Sequence, residues 1–255
     1  MKFFVNNYLT LISRLRDNNY DLYSVGSFLQ NNDSVRSACI LRHDVDRRVN
    51  SAVYMAKAEH SLNIRSTYYF RCSKRGVFPS EAIRIIASLG HEVGYHYEET
   101  SRANGNIEVA RMNFKKNLVS FRQISDCKTI SMHGSPLSKY NNQDLTDSGF
   151  LEVCGLEGDA VASIIGSKPH YFTDTGGTWG SKHNLRDFLG EQLENESTIK
   201  LDEPDVFSRI ESVAPLLYIS THPERWGKNW PDYAYCRFVD VATNSAKKVI
   251  RHIRS

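Results

Sequence analysis

The 255-residue chain contains no Cys-x-x-Cys pair, no apolar run approaching the ~18 residues that a membrane span needs, and almost no net charge. Each absence excludes something. The five cysteines, Cys39, Cys72, Cys127, Cys154 and Cys236, are odd in number and widely spaced, which argues against a disulfide framework and for reduced thiols in a cytosol. With 32 basic against 29 acidic residues the formal charge is +3, and Lys and Arg are scattered, so no nucleic-acid partner is expected. There is no low-complexity tract, fixed-period repeat or linker, so one domain is expected over residues 1–255. The opening stretch is apolar but broken by Asn6 and Asn7 and lacks a small-residue cleavage site. Phe4, Tyr8, Ile12 and Leu15 recur at helical spacing, which predicts a core-facing first helix rather than a signal peptide. The expected location is the cytoplasm, including the inner face of the membrane.

What the chain does have is an alternation of strand and helix signals. An apolar run, Ala38–Leu41, leads to Arg42-His43-Asp44-Val45-Asp46, and a half-buried helix is expected over Ser51–Leu62. Ser66–Phe70 reads as a strand by its β-branched and aromatic content, and Pro79-Ser80-Glu81 opens a helix closed by Gly90. The pattern repeats in a strand from His91 to Glu98, a helix from Ile107 to Phe121 and a strand from Lys128 to Gly134. Tyr171–Asp174 and Leu216–Ile219 are further strands, and a last helix is expected over Ala242–Ile253. Such alternation predicts parallel βα units, and ligands collect at the C-terminal strand ends of such folds.

Those strand ends carry the chemistry. Extended side chains alternate faces and rise ~3.3 Å per residue, so Asp44 and Asp46 leave one face roughly 6 to 7 Å apart. One can hold an ion while the other addresses a water; the plain alternative is a pair of loop acids capping the next helix. The other ends offer His96 with Glu98, then His133, Asp174 and His222. His133 can equally be a buried structural histidine and Glu98 the partner of an arginine, while His43 and His91 read as packing. Trp226 and Trp230 lie in a glycine- and proline-punctuated loop, the setting in which aromatic rings stack on sugars.

Taken in order, these blocks resemble the polysaccharide deacetylases of the NodB-homology type, and in wording a cytoplasmic branch with Leu41-Arg-His-Asp-Val-Asp46, Gly94-Tyr-His-Tyr-Glu98 and Met132-His-Gly-Ser-Pro136, associated with surface-polysaccharide assembly. The resemblance covers most of the chain. It implies a distorted (β/α) barrel of the NodB type and a divalent ion, zinc being the expectation, that serves amide hydrolysis. Asp44 then matches the general base, Asp46 and His96 metal ligands, and His222 the general acid, oriented by Asp174. Arg42, Trp179 and Trp226 are expected at the substrate. Two departures stand out. Thr100 replaces the second ligand histidine, so the third ligand is either His133 or Glu98, and the arginine that would hold the base has no counterpart, leaving Arg42 or Arg71 to replace it. The implied reaction is removal of an N-acyl group, acetyl or formyl, from an amino sugar of a nucleotide- or carrier-lipid-linked glycan precursor. The alternatives are hydrolysis of a non-sugar C–N bond and a catalytically silent sugar-binding protein.

Overall fold

The computed structural model describes residues 2–31, 37–135, 138–146, 149–177, 179 and 215–254; Pro136 of the stretches above lies outside them. Among the described residues eight strands form one sheet: β1 (Asp21–Tyr23), β2 (Ala38–Val45), β3 (Thr67–Phe70), β4 (Glu92–Tyr97), β5 (Thr129–Met132), β6 (Gly158–Asp159), β7 (His170–Thr173) and β8 (Leu216–Thr221). Their order is β6-β5-β4-β3-β2-β8-β7, with β1 on the first half of β2, and every pairing is parallel. The parallel βα units are those expected from the alternating pattern, and the curled, open sheet is the distorted barrel that the resemblance implied. It places all C-terminal strand ends at one mouth.

Helices α1 (Val5–Asp17), α2 (Val25–Asn31), α3 (Val49–Ser61), α4 (Ser80–Ser88), α5 (Glu99–Arg102) and α6 (Ile107–Arg122) alternate with the first strands. α1 and α3 cover β2 and β8, where Tyr8, Ile12 and Met55 meet Leu41, Leu217 and Ile219. α4 and α6 cover β3 to β5 through Ile83, Ile86, Phe114 and Phe121 against Phe70, Tyr95 and Ile130. Burial of each such side chain contributes about 1.5–3 kcal/mol. Inside the sheet, Ala38 and Ile40 pack with Tyr69, Ala160 and Tyr218. Period-2 alternation then puts Arg42 and Asp44 on the inner face above Ile40, and His222 above Tyr218.

The same alternation sends His43 outward, where it is held in a buried network. Glu59 of α3 accepts hydrogen bonds from Tyr8 at 2.6 Å, Ser66 at 2.7 Å and Tyr68 at 2.7 Å, and lies 3.0 Å from His43 Nε2. Burial alone would raise its carboxyl, but His43 and then His91 bring it down to about 2. His43 Nδ1 meets Thr221 Oγ1 at 2.6 Å, so the network joins the residue before Asp44 to the residue before His222. His91 Nε2 donates to the Ala56 carbonyl, a packing role.

Parts of the fold differ from the sequence expectation. β1 and β6 were not among the expected strands, because runs of three and two residues are too short to show a period. The last helix runs from Trp230 to Arg254 and so begins 12 residues before Ala242. Asn229 caps it by accepting from the Asp232 amide at 3.0 Å, and Pro231 falls in the first turn, where its missing N–H costs nothing. Trp230 is thus a helix-start residue, 60% exposed, beneath Lys2 and beside Phe4 rather than in a sugar-facing loop.

Candidate active site

Arg42 and Asp44, two residues apart on the inner face of β2, form a bidentate pair: Nε to Oδ1 at 2.9 Å and Nη2 to Oδ2 at 2.6 Å. Burial would raise the Asp44 carboxyl, but the Arg42 guanidinium, with His96 behind it, holds it below the usual range. Asp44 is therefore ionised and fixed in orientation. Arg42 itself is 2% exposed; its Nε and Nη2 are turned onto Asp44, and its Nη1 is buried without a hydrogen-bond partner among the described residues. Of the two arginines considered as partners of Asp44, Arg42 makes the contact, whereas Arg71 bonds Glu98.

His96 follows Gly94 on the inner face of β4. A Cβ on Gly94 would come within 2.5 Å of both the Thr129 carbonyl and the Tyr69 ring, so only glycine lets β4 lie this close. His96 Nδ1 donates to the Ser131 carbonyl at 3.0 Å, since a carbonyl can only accept. That fixes the tautomer and turns Nε2 into the mouth, 3.7 Å from Asp44 Oδ2 and 3.6 Å from Asp46 Oδ1. Burial pushes the imidazole down to about 4, so it is neutral at pH 7 and its lone pair is free.

His133 extends β5, where its amide donates to the Tyr97 carbonyl at 2.7 Å. Its Nδ1 donates to Glu98 Oε2 at 2.9 Å, leaving Nε2 3.6 Å from Asp46 Oδ1. Glu98 is engaged on every side, by His133, by both its contacts with Arg71 Nη2 at 2.7 and 2.8 Å, and by Arg102. The pair is thus a carboxylate behind an imidazole, the arrangement that orients a metal-binding histidine. Burial would raise Glu98, but His133 and then Arg71 keep it well below its ordinary value.

Asp46 Oδ1, facing both imidazole nitrogens, is buried and has no hydrogen-bond partner among the described residues. One carboxylate oxygen and two imidazole nitrogens are the donor types that a divalent ion takes. Among the described residues no three His, Cys, Asp or Glu side chains stand closed around a common point as they are. The two N–O separations of 3.6 Å exceed by a few tenths of an ångström the ~3.4 Å edge of a tetrahedron built on bonds of 2.0–2.1 Å. Thr100, at the position of the missing histidine, is buried in α5, and its hydroxyl bonds neither Asp46 nor either imidazole.

On the opposite side of the mouth, His222 Nδ1 donates to Asp174 Oδ1 at 2.7 Å and its amide to Oδ2 at 3.0 Å. Trp226 Nε1 donates to the same Oδ2 at 2.7 Å. Burial lowers an imidazole, but Asp174 outweighs it and brings His222 up to about 9, so it is an imidazolium at pH 7. Trp226 and Trp179, expected at the substrate, are 1% and 3% exposed; the Trp226 indole N–H is committed to Asp174, and that of Trp179 has no hydrogen-bond partner among the described residues. Phe3 packs on both rings, and Trp226 acts on the site only by holding Asp174.

Residues that the sequence did not single out complete this side. Arg225 Nη1 donates to Asp240 of the last helix at 3.0 Å, and Arg47 Nε stands 3.6 Å from Glu224 Oε1. Both Glu224 oxygens are buried without a hydrogen-bond partner among the described residues, and burial followed by the Asp46 charge pushes its carboxyl up to about 7. A cavity of about 1010 Å³ opens beside Asp46, between the ends of β2, β3 and β4.

No family model and no curated protein matches this sequence. Among solved structures the chain is similar to a CE4 family pseudoenzyme from Bacillus anthracis, with a TM-score of 0.45 and 9% identity over 84% of this chain and 62% of that one. It is similar in the same degree, 0.45 and 9%, to a mutant of that pseudoenzyme with restored enzymatic activity, over 84% of this chain and 64% of the other. The chain thus spans less than two thirds of the length of either, and at 9% identity no side chain of the site carries across.

Proposed function

We propose that the chain is a metal-dependent hydrolase that removes an N-acyl group, acetyl or formyl, from an amino sugar of a glycan precursor in the cytoplasm. The observation that carries the reading is the unpartnered Asp46 Oδ1 facing the Nε2 atoms of His96 and His133, whose Nδ1 atoms are both tied down. Asp46, His96 and His133 would hold the ion, with Glu98 orienting His133. This differs from a ligand set that includes Glu98, because the carboxylate is already occupied by two arginines and an imidazole. A divalent ion, zinc first, supplies polarisation of the amide carbonyl and a water of lowered pKa.

The protein's own groups do the rest. Asp44, ionised and clamped by Arg42, takes the proton of the attacking water. His222, kept protonated by Asp174, returns a proton to the nitrogen so that it leaves as a neutral amine. Acceptor and donor are two different side chains with carboxyl and imidazole shifted in opposite directions, an arrangement that a purely binding protein does not require. The five cysteines are buried and unpaired, which supports a reducing compartment. No helix among the described residues is long and apolar enough to cross a membrane.

The test is product analysis. Ion-loaded protein incubated with N-acetyl and N-formyl hexosamines is expected to release acid and free amine in equal amounts from one of them. Chelation should stop the release and zinc restore it. No acid from either class at stoichiometric protein would overturn the reading.

A further inference from the structure

The cavity beside Asp46 has a sharp division of character. One wall is apolar, built by Val49, Val77, Phe78 and Pro79, and the other carries Arg71, Lys74 and Arg102. Its three cations face two carboxylates, Asp46 and Glu98, so the wall is positive even before any ion neutralises Asp46. The cations are not equivalent. Arg102 is spent: its guanidinium bonds Glu98, the Cys72 and Ser73 carbonyls and the Cys72 thiol, and so fixes the start of the loop that carries Lys74. Arg71 commits only Nη2, to Glu98; its Nη1 is 3.7 Å from Asp46, and its Nε is buried without a hydrogen-bond partner among the described residues. Lys74 is exposed on the loop after β3, and none of the ion pairs of Arg71 and Arg102 among the described residues involves it.

A buried guanidinium N–H with nothing to donate to, an exposed ammonium nearby and a positive wall point to a bound anion. At about 1010 Å³ the cavity lies at the upper end of the ~300–1,000 Å³ usual for small-molecule sites, with room beyond a single sugar ring. We propose that Arg71 and Lys74 form an anion subsite for a phosphoryl group attached to the acylated amino sugar. The inference rests on the hydrolytic reading of Asp46, His96 and His133, which places the acyl group at one end of this cavity and leaves the phosphoryl group at the other. Arg102 is a positioning residue for the subsite. The apolar wall takes whatever the phosphoryl group links, a nucleoside or a lipid chain.

The experiment is a calorimetric titration of the full chain with N-acetylglucosamine and with its 1-phosphate, for wild type, Lys74→Ala and Lys74→Glu. Lys74 is exposed and lies outside the hydrolytic machinery, so both variants are expected to fold. In wild type the phosphorylated sugar should bind tenfold tighter or more, the range of charge-assisted hydrogen bonds. That preference should shrink in Lys74→Ala and fall below about threefold in Lys74→Glu, with the neutral sugar unchanged. UDP-N-acetylglucosamine forms a second arm: tighter binding than the 1-phosphate assigns the nucleoside to the apolar wall, and equal binding assigns the phosphoryl contact alone. No preference in wild type, or a preference untouched by Lys74→Glu, overturns the subsite. Phosphate-selective binding without any acyl release keeps the subsite and sinks the hydrolytic reading; acyl release at equal KM from both sugars does the reverse.

Discussion

Asp44→Asn is expected to keep its metal ion and lose about 10²- to 10⁴-fold in kcat/KM, the scale of a lost general base. The amide can still accept from Arg42, so the side chain stays in place, but it no longer takes a proton. Because Arg42 is fully buried, the substitution also leaves an uncompensated guanidinium, and truncating one partner of such a pair costs about 3–5 kcal/mol. The measurement is therefore turnover alongside thermal unfolding and ion content at a temperature where the variant is folded. A folded, ion-bearing variant within a few-fold of wild type would remove Asp44 from the chemistry.

His222→Gln should be of similar size, a loss of about 10²- to 10⁴-fold with the ion retained. Its pH dependence is the sharper readout. With His222 up at about 9, the acid form persists through neutrality and kcat should decline only as pH rises through about 9. Asp174→Asn removes the main influence raising the imidazole, so the descending limb should move down toward the unperturbed value of ~6.5. Stability follows the same sign. A histidine whose folded pKa is raised contributes stability that is complete below ~6.5 and is lost as pH climbs through about 9. Denaturant midpoints measured from pH 6 to 9.5 should fall in wild type and stay flatter in Asp174→Asn. An unmoved descending limb in that variant would contradict the pairing of Asp174 with His222.

The strand ends were legible because alternation and composition are local. The apolar run Ala38–Leu41, the β-branched and aromatic content of Ser66–Phe70, and the helix stop at Gly90 all operate within a few residues. Which inner-face residues meet was not. The choice between His133 and Glu98 depends on the register of β5 on β4, where the His133 amide bonds the Tyr97 carbonyl and brings the imidazole beside the next residue, Glu98. No spacing along the chain encodes that distance. Trp226 misled for a similar reason. Its loop has the punctuation of an exposed one, yet Gly227 bridges to Phe4 and draws the ring beneath Phe3 and α1. A Cβ on Gly227 would come within 2.6 Å of the Tyr233 backbone, so the glycine marks a close approach rather than a free turn. The burial of Glu224 without a hydrogen bond among the described residues was out of reach as well, since burial of a charged residue is not written in its neighbours.

The most direct measurement is the metal content of the purified protein by elemental analysis, for wild type beside His133→Ala and Glu98→Gln. The expected result is about one zinc or similar divalent ion per wild-type chain, none in His133→Ala, and an ion still present in Glu98→Gln but bound some 10- to 100-fold more weakly, as befits a group that only orients a ligand. An ion kept by His133→Ala and lost by Glu98→Gln would contradict the ligand assignment, and no ion in metal-replete wild type would contradict the hydrolase itself.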